Sequence, residues 1–364
     1  MKKVLALLLA ITMLTCLCAC GDNTEEKKDG TTTAATSGTT AGTTTEETTA
    51  TTSATEGETT TSTEAQTTAT TSGTTTATNP TESTTTAKPT TTQPTATKPT
   101  EPPKNPGKVP KSISILSVGN SFSVDAMKNH LYPMLEEAGC TDIRLGILYI
   151  GGCSIDKHYE CVRRDTASYE YYENVNGNWV TTLDYKASTA FALTDWDIVT
   201  LQQASPDSGR PISYENLGAL IDLIRPQIGD AKLYWHMTWA YQQDSDHHAF
   251  ANYNKDQMRM YRGIVDATKR RIVENENFEG FFPCGTSIQN LRTSSLGDTL
   301  TADGYHLKET YGDYTAALTW FCYLTGADAE SVAYRPIAIR DHFDEIAESV
   351  NNALANPLVV TECE

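Results

Sequence analysis

The sequence lacks a membrane-crossing run at its start: the apolar segment from Val4 to Leu17 falls short of the about 20 residues a transmembrane helix needs. Positive charge is scarce. Against 46 Asp and Glu stand 28 Lys and Arg, a formal charge of −18, which argues against nucleic acid as a partner. From about Asn23 to Pro106 large apolar residues are almost missing, so this stretch cannot bury enough surface to offset its ordering entropy. It also has no fixed period, which excludes a solenoid. Zinc spacing is absent among Cys140, Cys153, Cys161, Cys284, Cys322 and Cys363. Cys322, in an apolar helical stretch, reads as a core thiol. Cys153 and Cys161 could pair, though spacing assigns no connectivity, and no cysteine is chosen as a nucleophile.

Met1-Lys2-Lys3 ahead of the short apolar run has the form of a signal peptide. The run ends in Leu17-Cys18-Ala19-Cys20-Gly21, which resembles the bacterial lipobox. Cys20, with a small residue on each side, fits the lipidated position best. Residues 1–19 are then a lipoprotein signal peptide, and the mature chain is exported and tethered to the outer face of the cytoplasmic membrane. Residues 20–107 form a Thr-rich linker, expected to be disordered. Roughly 80 such residues coil to about 50 Å, which suits a spacer lifting a domain through a cell wall. Residues 108–364 make one domain, long enough for a sizeable core without staples.

That domain opens on Ile113-Ser114-Ile115-Leu116-Ser117-Val118, a buried strand by composition, punctuated by Gly119-Asn120. A helical pattern follows through Met127, Leu131, Met134, Leu135 and Ala138. Ser121 therefore sits where a parallel strand turns into a helix, and ligands of open α/β sheets bind at such strand ends. Further strands are read at 142–150, 196–201, 232–237 and 278–283. Helices are read at 187–193, 214–228, 252–274, 310–324 and 338–354, with a short one through Leu291. Asn176-Gly177 between alternating β-formers predicts a hairpin, read as an insertion on the binding face, with a plain sheet extension as its alternative. Trp239 to His248 reads as a loop over the site. Strands alternating with helices predict a three-layer α/β/α sandwich on a parallel central sheet.

Asp303 and His306 lie three residues apart in a loop at a helix start, so one loop supplies a base and the acid that orients it. Together with Ser121 they complete the residue set of an acyl-transfer triad. Here the domain resembles the SGNH (GDSL-like) hydrolase superfamily, over nearly all of Lys111 to about Gly326. Gly119-Asn120-Ser121-Phe122-Ser123 resembles its first block, with Asn120 in place of a frequent aspartate. Gly152-Cys153-Ser154 resembles the second and Thr301-Ala302-Asp303-Gly304-Tyr305-His306-Leu307 the last. The resemblance implies Ser121, His306 and Asp303 as nucleophile, base and orienting acid, with the Ser121 and Gly152 N–H groups meeting the oxyanion. The third block departs: Gln202-Gln203-Ala204-Ser205 stands where Gly-x-Asn-Asp is usual. By analogy with carbohydrate-esterase branches, Gln203 would donate its amide there. This mechanism needs no metal or organic cofactor. Asn120, His158 and Trp239 are weaker candidates for the substrate cleft. Asp244, Asp246, His247 and His248 look metal-like but match no standard site, so they read as solvated loop. His236 reads as packed near the sheet end, and Arg292 as paired with a carboxylate.

The function this implies is a cell-surface serine esterase removing O-acetyl or other short acyl groups from a glycan, its membrane contact being the lipid at Cys20. Two alternatives stand beside it. A lipid or longer-acyl ester hydrolase calls for a continuous apolar groove beside Ser121. A non-catalytic binding module on a Thr-rich stalk calls for Ser121 and His306 too far apart to react.

Overall fold

A computed structural model describes residues 108–364; the leader, Cys20 and the Thr-rich linker lie outside the described residues. The domain begins with strand β1 (Ser112–Gly119), followed by helices α1 (Ser121–Met127) and α2 (Leu131–Glu137), then β2 (Asp142–Tyr149) and α3 (Ile155–Arg164). A hairpin of β3 (Tyr169–Val175) and β4 (Asn178–Tyr185) leads to α4 (Ala187–Phe191), β5 (Ile198–Leu201) and α5 (Leu217–Ile224). The remainder is β6 (Lys232–His236), α6 (Gln257–Thr268), β7 (Gly280–Phe282), α7 (Cys284–Leu291), α8 (Tyr311–Thr325) and α9 (Phe343–Ala355).

The seven strands form one sheet in the order β4-β3-β2-β1-β5-β6-β7. The five from β2 to β7 are mutually parallel, and the hairpin adds two antiparallel strands at one edge. The expected parallel sandwich is what forms. Helices α1, α2, α7, α8 and α9 pack together on one face, and α3 with α4 and α5 on the other. β1 is flanked by β2 and β5, so the strand order reverses around it and opens a crevice at its carboxyl end. Helix α8 is buried over almost its whole length, as a helix apolar on all sides must be.

Local chemistry accounts for most boundaries. Asn120 caps α1 by accepting the Phe122 N–H, and Asp256 caps α6 by accepting the Arg259 N–H. Asn176 and Gly177, with φ of 50° and 81°, form the two-residue turn their sequence predicts. The hairpin is a sheet extension and not a separate insertion: β3 pairs with β2 from Leu145 to Tyr149, and β4 is largely exposed. The helix expected from 252 begins at Gln257, because Asn254 and Lys255 both take positive φ and break the path. All six cysteines among the described residues are buried free thiols, Cys153 and Cys161 included.

Candidate active site

Three segments meet at the carboxyl ends of β1, β2 and β6. Ser121 starts α1, Gly151-Gly152 turns after β2, and the loop 301–307 precedes α8. His306 Nε2 lies 2.8 Å from Ser121 Oγ, and His306 Nδ1 lies 2.7 Å from Asp303 Oδ2. Asp303 Oδ1 also accepts the N–H groups of Tyr305 (3.1 Å) and His306 (2.8 Å). Burial pushes the Asp303 carboxyl up, but its bonds from His306 and Tyr305 prevail and hold it below the usual range. The Nδ1–H therefore points at a carboxylate, and Nε2 is left as the acceptor facing the serine hydroxyl.

The serine turn is built from inside the sheet. Thr200 Oγ1 donates to Ser117 Oγ (2.9 Å), Ser117 to Ser123 Oγ (2.8 Å), and Ser123 to Gln202 Oε1. His236 Nδ1, 3.0 Å from the same Gln202 oxygen, must carry the proton because an amide oxygen only accepts. Burial holds His236 neutral, with its pKa down to about 3. Gln202 Nε2 then donates to Asn120 Oδ1 (2.6 Å), which also accepts the Phe122 N–H, while Asn120 Nδ2 reaches the Cys153 carbonyl at 3.2 Å. Each amide atom of Asn120 is used, and an aspartate here would set a carboxylate oxygen against that carbonyl. Gly119 belongs to the same arrangement: a Cβ would stand 2.2 Å from Ser123 Oγ, so no side chain fits.

The acid–base loop is held differently. Its ends pair through Thr301 and Leu307, and Ala302 N–H donates to the His306 carbonyl at 2.8 Å. Trp239 stacks on Phe122 with centroids 4.3 Å apart and donates its indole N–H to the Tyr305 carbonyl at 2.8 Å. Gln242 N–H meets the Gly304 carbonyl (2.8 Å), and Thr301 Oγ1 donates to Gln242 Oε1 (2.6 Å). Gly304, at φ +90°, lies against Ser245, whose Oγ would be 2.8 Å from a Cβ. Only glycine satisfies both the backbone angle and the close approach. Around this loop stands an aromatic rim. Tyr305 lies against His306 and His247 (4.2 and 4.7 Å), and His247 stacks on the exposed His248 at 4.7 Å.

Several sequence expectations are corrected. Gln203 does not present its amide to the serine: Nε2 donates to Ser213 O (2.8 Å) and Oγ (3.0 Å), and Oε1 accepts from Ile155 and Ala204. It ties the strand end to α3, and its neighbour Gln202 faces the nucleophile side. Asn120, 2% exposed, is a cap and strut and touches no cleft. His158 is buried in stacking contact with Tyr169 and hydrogen-bonded to its hydroxyl at 3.1 Å. Trp239 is fully buried beneath the loop, so it supports the site from below, while His247 and His248 of the same segment stand beside Tyr305.

Asp244, Asp246, His247 and His248 form no metal-capable group of three or more, a statement that holds among the described residues. Arg292 is buried against Asp298, 2.8 Å away, and also bonds Ala240 and Gln289, which agrees with a structural role. Sequence reasoning missed Asp125, whose side chain bonds the loop residue next to His306. Its spacing of four from Ser121 was the available signal.

The first, second and last blocks that carry the SGNH resemblance thus converge in space as that resemblance implies, and the third departs. No curated protein matches the chain in sequence. Among solved structures, a DUF4886 family protein from Bacteroides uniformis is 39% identical, covers 69% of this chain and 98% of its own, and has a TM-score of 0.66. A catalytic mutant of Axe2, an acetylxylan esterase from Geobacillus stearothermophilus, is 10% identical over 60% of this chain and 96% of its own, with a TM-score of 0.38. That likeness is too distant to bear on activity. The family model for DUF4886, a domain of unknown function, matches residues 114–353. With two thirds of its length in that match, and a relative of the same family at 39% identity, the chain belongs to the DUF4886 family.

Proposed function

We propose that this protein is an SGNH-type serine esterase that removes short acyl groups, O-acetyl foremost, from carbohydrate at the cell surface. The observation that carries the reading is the continuous hydrogen-bonded row Asp303–His306–Ser121 at the strand ends. In the first step His306 Nε2 takes the Ser121 proton as Oγ attacks the ester carbonyl. The imidazolium that forms is stabilised by the Asp303 carboxylate, then returns the proton to the leaving alcohol. Water then attacks the acyl-enzyme in place of the alcohol: His306 takes the water proton and returns it to Ser121 Oγ as the C–O bond to the serine breaks and the carboxylic acid leaves. The Ser121 and Gly152 N–H groups have no partner among the described residues, and they are the donors for the oxyanion. Gln203 is left out of that hole.

Support for a carbohydrate substrate comes from the surroundings of the triad. The site is open, with 32% of the His306 side chain and 44% of that of Asp303 accessible, which suits an acyl group carried on a bulky polymer. Its rim is aromatic and polar. Tyr305, His247 and His248 stand beside the triad, and Tyr149, at the end of β2 next to Gly151-Gly152, stacks on Tyr172 at 5.2 Å. Sugar rings pack on such faces, whereas a long acyl chain calls for an apolar groove. Hydrolysis rates on acetylated polysaccharides and on esters graded by acyl length, with Ser121→Ala as control, test the reading. Activity that climbs with chain length and spares the polysaccharides would sink it.

The surface location rests on the basic head, short apolar core and Cys20-Gly21 junction. Cys20→Ala is expected to release the protein from the membrane fraction or to block its maturation. Normal processing and unchanged fractionation of that variant would remove the anchor from the proposal.

A further inference from the structure

We propose that Asp125 is the positioning residue that fixes the acid–base loop to the helix carrying the nucleophile, and that its charge supports the imidazolium of His306. Asp125 lies four residues after Ser121 on α1, on the same helix face. Its Oδ2 accepts the N–H of Leu307 at 2.9 Å, one residue beyond His306. The other latches on this loop, from Trp239 and Gln242, come from the segment after β6. Among the described residues, Asp125 makes the only hydrogen bond between α1 and the loop besides the Ser121–His306 bond itself. One turn of helix therefore carries both the serine and the clamp for its base. Besides that clamp and the Ser121–His306 bond, α1 meets the loop through ring contacts, Phe122 lying against His306 and against Trp239 beneath Tyr305.

The charged surroundings of Asp125 favour the same role. His306 and Asp303 face it from the loop, Tyr149 from β2, and Asp313 from α8. Burial pushes the Asp125 carboxyl up to about 6, against the pull of the Leu307 N–H and of His306, while Asp303 adds to the rise. Asp313 is pushed further, to about 8, by burial and then by Asp125 and Glu309, although Asn129 donates to it. Burial raises both carboxyls, Asp313 the more, which leaves Asp125 the more acidic of the two. An anion behind the base favours the charged imidazole that forms in each acyl-transfer step.

The kinetic arm of the test rests on the esterase reading above; the titration arm does not. Asp125→Asn keeps an acceptor for Leu307 and removes the charge. Its kcat on the pH plateau should fall about 3–10-fold with KM little changed, a loss confined to the transition state. The acid limb should move to lower pH, because an imidazole that loses a neighbouring anion loses its proton more readily. Asp125→Ala also removes the acceptor and should cost about 10²-fold in kcat, as a misplaced catalytic group does. The imidazole NMR signal of His306, assigned with His306→Ala, should show the same downward shift in Asp125→Asn without any turnover. An unmoved limb and unmoved His306 titration in Asp125→Asn would overturn the electrostatic role. Full kcat in a folded Asp125→Ala would overturn the clamp; if that variant fails to fold, Asp125→Leu, of similar size but without an acceptor for Leu307, is measured in its place. A shifted titration in a protein inactive on every ester would uphold Asp125 and refute the esterase reading instead.

Discussion

The nucleophile turn and the acid–base loop come within 3 Å of each other at Ser121 and His306, yet they are held by opposite means. Around the turn, Ser117, Asn120, Ser123, Thr200, Gln202 and His236 are all buried, and a chain of hydrogen bonds runs through them from β1 to β5 and β6. Such a network is stiff, because any member that moves strands a polar atom away from water. The loop 301–307 is largely accessible and depends on a few latches to Asp125, Trp239 and Gln242. A serine hydrolase needs its attacking oxygen placed to within a fraction of an ångström, and the base must rock between serine and leaving group. In the proposed esterase, a core-bound Ser121 beside a latched His306 would meet both demands.

The largest expected effect breaks the row where the two regions meet. Ser121→Ala and His306→Ala should each lower ester hydrolysis by several orders of magnitude, about 10³ or more, with the melting temperature kept within a few degrees. Near-normal turnover in either purified variant would dismiss the triad. A second contrast lies within the turn, between two adjacent glutamines. Gln202→Ala leaves partners of Asn120, Ser123 and His236 unsatisfied and should cost roughly 2–4 kcal/mol of stability with most of the activity. Gln203→Ala should cost about 1–2 kcal/mol and leave kcat within about threefold, because its amide serves Ser213 and not the oxyanion. Denaturant melts and kcat on one small ester separate the pair. A large kcat loss in Gln203→Ala alone would return that residue to the oxyanion hole.

The smallest effect probes the ground beneath the loop. Asp313, 3% exposed, has one carboxylate oxygen without a partner, and its pKa stands at about 8 against an ordinary 3.8. Between these values the folded chain keeps a proton that the unfolded chain gives up. Its contribution to stability therefore falls as pH rises through that window. Asp313→Asn removes the titration while retaining an acceptor for Asn129. It should be more stable than wild type by about 1–2 kcal/mol near pH 8.5, with the gain shrinking steadily toward pH 4. A gain independent of pH would show that Asp313 is not the buried acid responsible.

Much of this domain was legible from the chain because it depends on neighbours a few residues apart. The run Ile113–Val118 is a buried strand, Asn176-Gly177 is a hairpin turn, and Asp303 and His306 share one loop, as their spacing predicts. The parallel sheet agrees with the class of fold read from strand and helix alternation. Less legible were the side chains whose role depends on which layer they face. His158 and Trp239 are polar-tipped residues near the site in sequence, but their rings are spent on Tyr169 and Phe122. Pattern alone cannot separate a cleft-lining aromatic from one buried beneath the cleft.

The sequence by itself determined the local geometry of the nucleophile turn and of the Asp-x-x-His loop, since strand propensity, capping and short-range hydrogen bonds act over a few residues. Only the tertiary structure decided which glutamine meets Asn120, because successive residues in extended chain point to opposite faces and the helices that cover each face are chosen by the whole fold. It likewise decided that Asp125 reaches Leu307 across 182 positions of sequence. That bond exists only once α1 and the loop before α8 have been brought together by the packing of both helices on one face of the sheet.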